Sequence, residues 1–218
     1  MKEKNFQWVR SVGTTLFGVF IGFLLANINA KRALEREMEV REESRKKEAI
    51  LLLQNLKNEM QFNISAIDGV KDHFRKGIVD TIYQGRKIKH FFSSPATLTD
   101  EIWKVAVSSS LIASLQDSKS IYYFATIYRK IHLCMDRWEE IMERTLRVNL
   151  SDTLQVECYN KDVISLVEDM ERAKRFCSVG IKIADITISW LKGEITQEKY
   201  DELREQIPEV TKLTTIVE

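Results

Sequence analysis

The sequence predicts an all-α chain. An N-terminal transmembrane helix continues into a charged stalk and then into an up-and-down bundle of about three long helices, with short helices packed on it. Three observations carry this expectation. Residues 11–30, SVGTTLFGVFIGFLLANINA, hold no charge. Three later stretches place apolar residues at spacings of three and four, which keeps them on one helical face. The 218 residues include only 8 Gly and 2 Pro, too little punctuation for an all-β chain, which needs a turn signal every ~8–12 residues.

The first element is a short basic N-tail, residues 1–10, followed by the expected span, 11–30. At about 1.5 Å per residue a helix of that length covers roughly 30 Å, the thickness of the hydrocarbon core. Phe6 and Trp8 precede it as interfacial aromatics, and Asn27, Asn29, Lys31 and Arg32 lie at its far end. A cleaved signal peptide is the competing reading. Ile28 would then occupy the −3 position before a cut at Ala30, where a small residue is required, and the apolar run is long for a signal. Lys31, Arg32, Arg36, Arg41, Arg45, Lys46 and Lys47 follow the span, against Lys2, Lys4 and Arg10 before it. This asymmetry predicts a single-pass protein of the cell membrane with its bulk in the cytoplasm. Gly18 and Gly22 form a G-x-x-x-G that would let two spans pack closely, although glycine is also simply common in membrane helices.

Residues 31–48 form the predicted stalk. Glu37–Arg41, Glu42–Lys46 and Glu43–Lys47 are acid-before-base pairs at i,i+4, each worth about 0.2–0.5 kcal/mol. Arg41–Glu48 contains no apolar residue, so this stretch has no face to bury; Leu34 and Met38 leave room for a coiled coil in the first half. The bundle is expected over 49–207. Its first stripe is Leu53, Leu56, Met60, Ile64, Ile67, Val70 and Phe74, on a helix running to about residue 80. A loop follows at 84–97, then a short helix at about 98–108 carrying Ile102, Trp103 and Ala106, capped by Thr97 with Asp100 or by Thr99 itself. The second stripe is Ile121, Phe124, Tyr128, Ile131, Met135, Trp138, Met142 and Thr145. The third runs from Tyr159 and Val163 through Leu166, Met170, Ala173, Cys177, Ile181, Ala184 and Ile188 to Leu191, capped by Ser151 or Asp152 and ended by Gly193. Thr196 opens a short polar helix, and residues 208–218 form a C-terminal tail beginning at Pro208.

Charge and chemistry narrow the function. Lys+Arg is 33 and Asp+Glu 32, a balance that lacks the basic excess of a nucleic-acid binder. Cys134, Cys158 and Cys177 cannot make a disulfide framework. Cys177 sits on the third stripe, where a small core hydrophobe and a redox thiol are both conceivable readings. None of His73, His90 and His132 has Glu three residues before it, so the Glu-x-x-His di-iron signature is absent. No zinc-protease, thiol-redox, serine-hydrolase or phosphate-loop motif occurs either. The sequence therefore predicts no catalytic, metal or cofactor-binding residue, no cofactor, and no enzyme. The segment from Gly85 to Phe92 mixes basic residues with Phe91 and Phe92 and reads as a hinge loop or a surface contact.

Leu56-Lys-Asn-Glu59-Met60-Gln-Phe-Asn63 and Asp100-Glu-Ile-Trp103-Lys-Val-Ala106-Val-Ser-Ser109-Ser110-Leu-Ile112 are the distinctive motifs. With the span and charged helix before them, the chain resembles a set of uncharacterised prokaryotic single-pass membrane proteins with a C-terminal helical domain. Such proteins often carry Gly where this chain has Ser110. The resemblance implies a membrane-anchored helical protein and brings no activity with it. Glu59 and Asn63 stand at i,i+4, either turned toward the Trp103 helix or exposed. Trp103, Ser109 and Ile112 mark the expected interaction patch. The expected role is a non-catalytic, membrane-anchored scaffold or protein-interaction module, with the lipid bilayer and a protein partner or second copy as its contacts. The alternative is a membrane-tethered sensor whose bundle binds a small ligand.

Overall fold

A computed structural model describes the backbone of residues 2–77, 80–83, 86–89, 98–115, 117–145, 147, 149 and 152–207. Side chains are described at 20–70, 98–115, 117–144, 147, 149 and 152–207. The elements are α1 (Lys2–Gly77), β1 (Asp80–Tyr83), β2 (Arg86–Lys89), α2 (Glu101–Ser108), a 3-10 turn (Leu111–Leu115), α3 (Ser118–Thr145), α4 (Thr153–Leu191) and α5 (Gln197–Glu205). The chain divides into two compact units, Met1–Lys47 and Glu48–Glu218.

The first unit is helix throughout its described residues. Phe20, Ile21, Phe23, Leu24, Leu25 and Ile28 are all exposed. Among the described residues no helix is long and apolar enough to cross a membrane. The expected span at 11–30 has only its second part, 20–30, within the described side chains, and eleven helical residues cover only about 16 Å. Gly18 lies outside the described side chains; around Gly22 the space a Cβ would enter is open. The three expected ion pairs are present, Glu37–Arg41 at 2.6 Å, Glu42–Lys46 at 3.3 Å and Glu43–Lys47 at 3.8 Å, all solvent-exposed. Leu34 and Met38 are exposed as well.

The second unit is a helical bundle whose core draws on α1, α3 and α4. Leu53, Leu56, Met60 and Ile67 of α1, Phe124, Ile127 and Ile131 of α3, and Leu166, Phe176 and Ile183 of α4 are all but fully buried. Helix directions follow from the ion pairs. Lys57 meets Asp185 and Asp68 meets Lys174, so eleven residues forward on α1 match eleven back on α4. Arg137 meets Asp169 and Arg144 meets Asp162, so α3 and α4 are antiparallel too. Burying each large apolar side chain of the three faces is worth about 1.5–3 kcal/mol.

Local signals place the ends of the helices. Asp152 caps α4, accepting from Leu154 N at 3.0 Å and Gln155 N at 3.2 Å. Gly193, at φ 74°, follows its end: Glu194 N donates to Ser189 O and Gly193 N to Trp190 O, each at 2.9 Å, the paired bonds of a left-handed helix stop. Thr196 caps α5, accepting from Lys199 N at 3.3 Å.

One expectation is corrected. The first helix runs to Gly77, close to its expected end at about 80, but part of the region read as loop, 84–97, is strand. Here β1 pairs antiparallel with β2, with Asp80 opposite Lys89 and Tyr83 opposite Arg86. Thr81, Ile82, Tyr83 and Ile88 favour strand, and only two residues, Gln84 and Gly85, separate the runs, the length of a tight hairpin connection. On α4 the neighbours Gly180 and Ile181 both meet the core: Ile181 is half-buried against it, and Gly180 is buried, with Met60 Sδ and Ile127 Cδ1 in the space a Cβ there would need.

Candidate functional site

Asn63 is fully buried and Glu59 is 5% exposed, although both are polar and lie on the inner face of α1. A buried polar group is costly unless it is hydrogen-bonded, and the segment leading into α2 supplies the partners. Asn63 Nδ2 donates to Thr99 O and Thr99 N donates to Asn63 Oδ1, both at 2.8 Å. One amide thus fixes both backbone groups of one residue. Glu59 Oε1 accepts from Ile102 N at 2.9 Å and from Thr99 Oγ1 at 3.2 Å. Its Oε2 accepts from Tyr128 OH of α3 at 2.6 Å. The N-cap residue of α2, Asp100, makes no side-chain cap bond. Glu59, reaching across from another helix, takes that role, and its charge type suits a helix N-terminus.

The aromatic layer lies on the same junction. Trp103 stacks on Tyr128 with ring centroids 5.1 Å apart and planes 6° from parallel. Burial raises the Tyr128 hydroxyl far above its usual range, and the Glu59 hydrogen bond adds to the effect, so Tyr128 remains a donor. The Asp100 carboxylate pairs instead with Lys104 at 2.8 Å, with His132 Nδ1 at 3.8 Å. The Lys104 ammonium is raised above its ordinary value by its bond to Asp100.

Of the expected patch, Trp103 and Ile112 are half-buried against the core, and Ser109 is exposed with its hydroxyl donating to Val105 O at 2.5 Å. The exposed apolar side chains of this region are Val105, Val107 and Leu111. Ser110 stands at φ 60°, the left-handed region, where glycine is the unstrained choice.

A second polar junction joins the start of α3 to α5. Asp117 Oδ2 accepts from Ser120 Oγ at 2.5 Å, Tyr200 OH at 2.9 Å and Arg204 Nη2 at 3.1 Å. Arg204 lies over the rings of Tyr123 and Tyr200, and Tyr200 stacks on Trp190 at 4.8 Å. Burial pushes the Asp117 carboxyl up, but Ser120, Tyr200, Arg204 and the Lys119 amide outweigh it and hold it below its usual range. Nothing in the sequence pointed to this pairing, since Asp117 and Arg204 are 87 residues apart.

Reactive groups are sparse. Cys134 and Cys177 are buried, and burial pushes each thiol up to about 12, which suits packing and not redox work. Cys158 is exposed, in an open depression lined also by Arg144, Arg147, Leu154, Gln155 and Tyr159. The side chains of His73, His90 and the segment 85–92 lie outside the described ones. Among the described residues no group of three or more His, Cys, Asp or Glu side chains could hold a metal ion. Comparison with protein-family models, with curated proteins and with solved structures finds no match.

Proposed function

We propose that the chain is a membrane-anchored helical interaction module without catalytic activity. Residues 11–30 lie in the bilayer, the bulk of the chain is cytoplasmic, and the bundle presents a protein-binding surface around α2. The observation that carries the anchor is the uncharged stretch 11–30 together with the exposure of its described apolar side chains, Phe20 through Ile28. Water-exposed apolar surface of that kind calls for lipid or a partner. The surface reading rests on Val105 and Val107, exposed on α2, whose start Glu59 and Asn63 hold, and on Leu111, exposed on the turn after it. Flotation of the full chain with lipid vesicles, before and after alkaline extraction, tests the anchor. It should float in both conditions, and recovery from the soluble fraction of lysed cells would overturn the proposal. A reporter fused after Glu218 should report the cytoplasmic side.

A further inference from the structure

Exposed positions of α1 between 49 and 68 differ in kind from those of α4. They are Leu51, Asn55, Asn58, Phe62 and Ser65, with Gln54 and Gln61 beside them. None is charged. The three charged residues of the stretch are all engaged elsewhere: Lys57 pairs with Asp185, Asp68 with Lys174, and Glu59 is buried. On α4 the exposed positions between 161 and 185 are Lys161, Ile164, Glu168, Arg175, Lys182 and Asp185, five of the six charged.

The uncharged positions also have a period. Leu51, Asn55, Asn58, Phe62 and Ser65 are spaced four, three, four and three, the heptad seam of a two-helix contact. Leu51 is 59% and Phe62 53% exposed, so most of their apolar area is unpartnered among the described residues. Depletion of charge at the centre of a surface patch, with an aromatic anchor, is the compositional mark of an interface.

We propose that this face of α1 pairs with the same face of a second copy of the chain. Self-complementarity argues for that occupant. A two-fold contact sets each patch against itself, which a strip of one charge sign would oppose. Asn and Gln amides carry a donor and an acceptor each and satisfy their own kind. The inference stands apart from the bilayer reading, because residues 49–68 lie in the second unit.

Sedimentation velocity of the full chain in detergent, over a concentration series, tests it. The wild type should show a monomer–dimer equilibrium. Phe62→Lys and Asn58→Glu should each weaken it at least tenfold, while Lys182→Glu on α4 leaves it unchanged. Mixing Asn58→Glu with Asn58→Lys should restore a mixed dimer. All three positions, Asn58, Phe62 and Lys182, are exposed, so melting by circular dichroism should be nearly the same in every variant. A chain that stays monomeric throughout overturns the proposal. So does a dimer indifferent to Phe62→Lys and Asn58→Glu, which would place self-association in residues 11–30 or on the α2 face.

Discussion

Replacing Asn63 with Ala isolates the hydrogen-bonded clamp on Thr99. The side chain is fully buried and makes two bonds of 2.8 Å to the backbone of Thr99. Each buried bond is worth about 1 kcal/mol net, and a backbone group left dry adds about 1–3 kcal/mol unless water reaches it. Thr99 is half-buried and Leu98 beside it is buried, which lets water relieve part of that cost. The sum is about 3 kcal/mol, or a fall of about 6–12 °C in melting temperature for a unit of this size. Exposed Gln54→Ala, the control, should stay within about 0.5 kcal/mol of wild type. The assay is urea unfolding followed by circular dichroism, with hydrogen exchange read at the Thr99 amide. Asn63→Ala should lose protection at Thr99 before global unfolding. If Asn63→Ala is as stable as Gln54→Ala, or Thr99 stays protected, the clamp is not what holds α2.

Four further outcomes follow from the same geometry. Ser110→Gly should raise stability by up to about 1 kcal/mol, since a left-handed residue with a Cβ costs about 1–2 kcal/mol and glycine returns part of that through its unfolded-state entropy; urea titration reads it, and a loss would show that the Ser110 side chain does more than tolerate φ 60°. Gly180→Ala should cost up to about 2 kcal/mol: its Cβ would meet Met60 and Ile127, both fully buried, and overpacking of about 1–3 kcal/mol is set against a helix-propensity gain of about 1. In a native thiol titration at pH 8, Cys158 should react promptly, while Cys134 and Cys177, pushed up to about 12, should react only on unfolding. For Asp117 the folded carboxyl lies below its unfolded value, so its contribution is complete above the unfolded pKa of about 3.9 and is lost as pH falls through the folded value; Asp117→Asn should flatten the stability profile below about pH 4 and leave its shape near neutrality unchanged.

Local chemistry was legible in the sequence, and tertiary choice was not. Asp152, Gly193 and Thr196 announce helix ends because a cap is satisfied within a few residues of itself. The stripes located the helices but understated their buried faces. On α3 the core includes Ile127, Cys134 and Ile141 beside the heptad positions Phe124, Ile131 and Trp138, since a helix meeting two neighbours buries a wider face than a seam. The signal for Gly180 was present as a run of small residues, Ala173, Cys177, Gly180 and Ala184, which lets helices approach closely. Glu59 and Asn63 were visible as a pair, but their burial depends on donors at Thr99, Ile102 and Tyr128, up to 69 residues away. The hairpin escaped because its strands are four residues each, too short for a period of two to stand out.

The buried polar junction bears on how the exposed α2 face could work. Apolar stripes alone leave helices free to trade one register for another at modest cost, since Leu, Ile and Val pack similarly a turn away. Asn63 bonded to both backbone groups of Thr99, and Glu59 bonded to Ile102 N and Tyr128 OH, tie α1 to particular groups of the α2 start and of α3. A slip would leave several buried polar groups unsatisfied. Position and surface should therefore separate experimentally. Val105→Ser or Val107→Ser removes exposed apolar area and should leave stability near that of the wild type. Tyr128→Phe leaves that surface untouched but removes the donor to Glu59 Oε2, and should cost about 1–3 kcal/mol. A partner that recognises the α2 face should lose affinity with both kinds of substitution, and only the second kind should also lower the melting temperature.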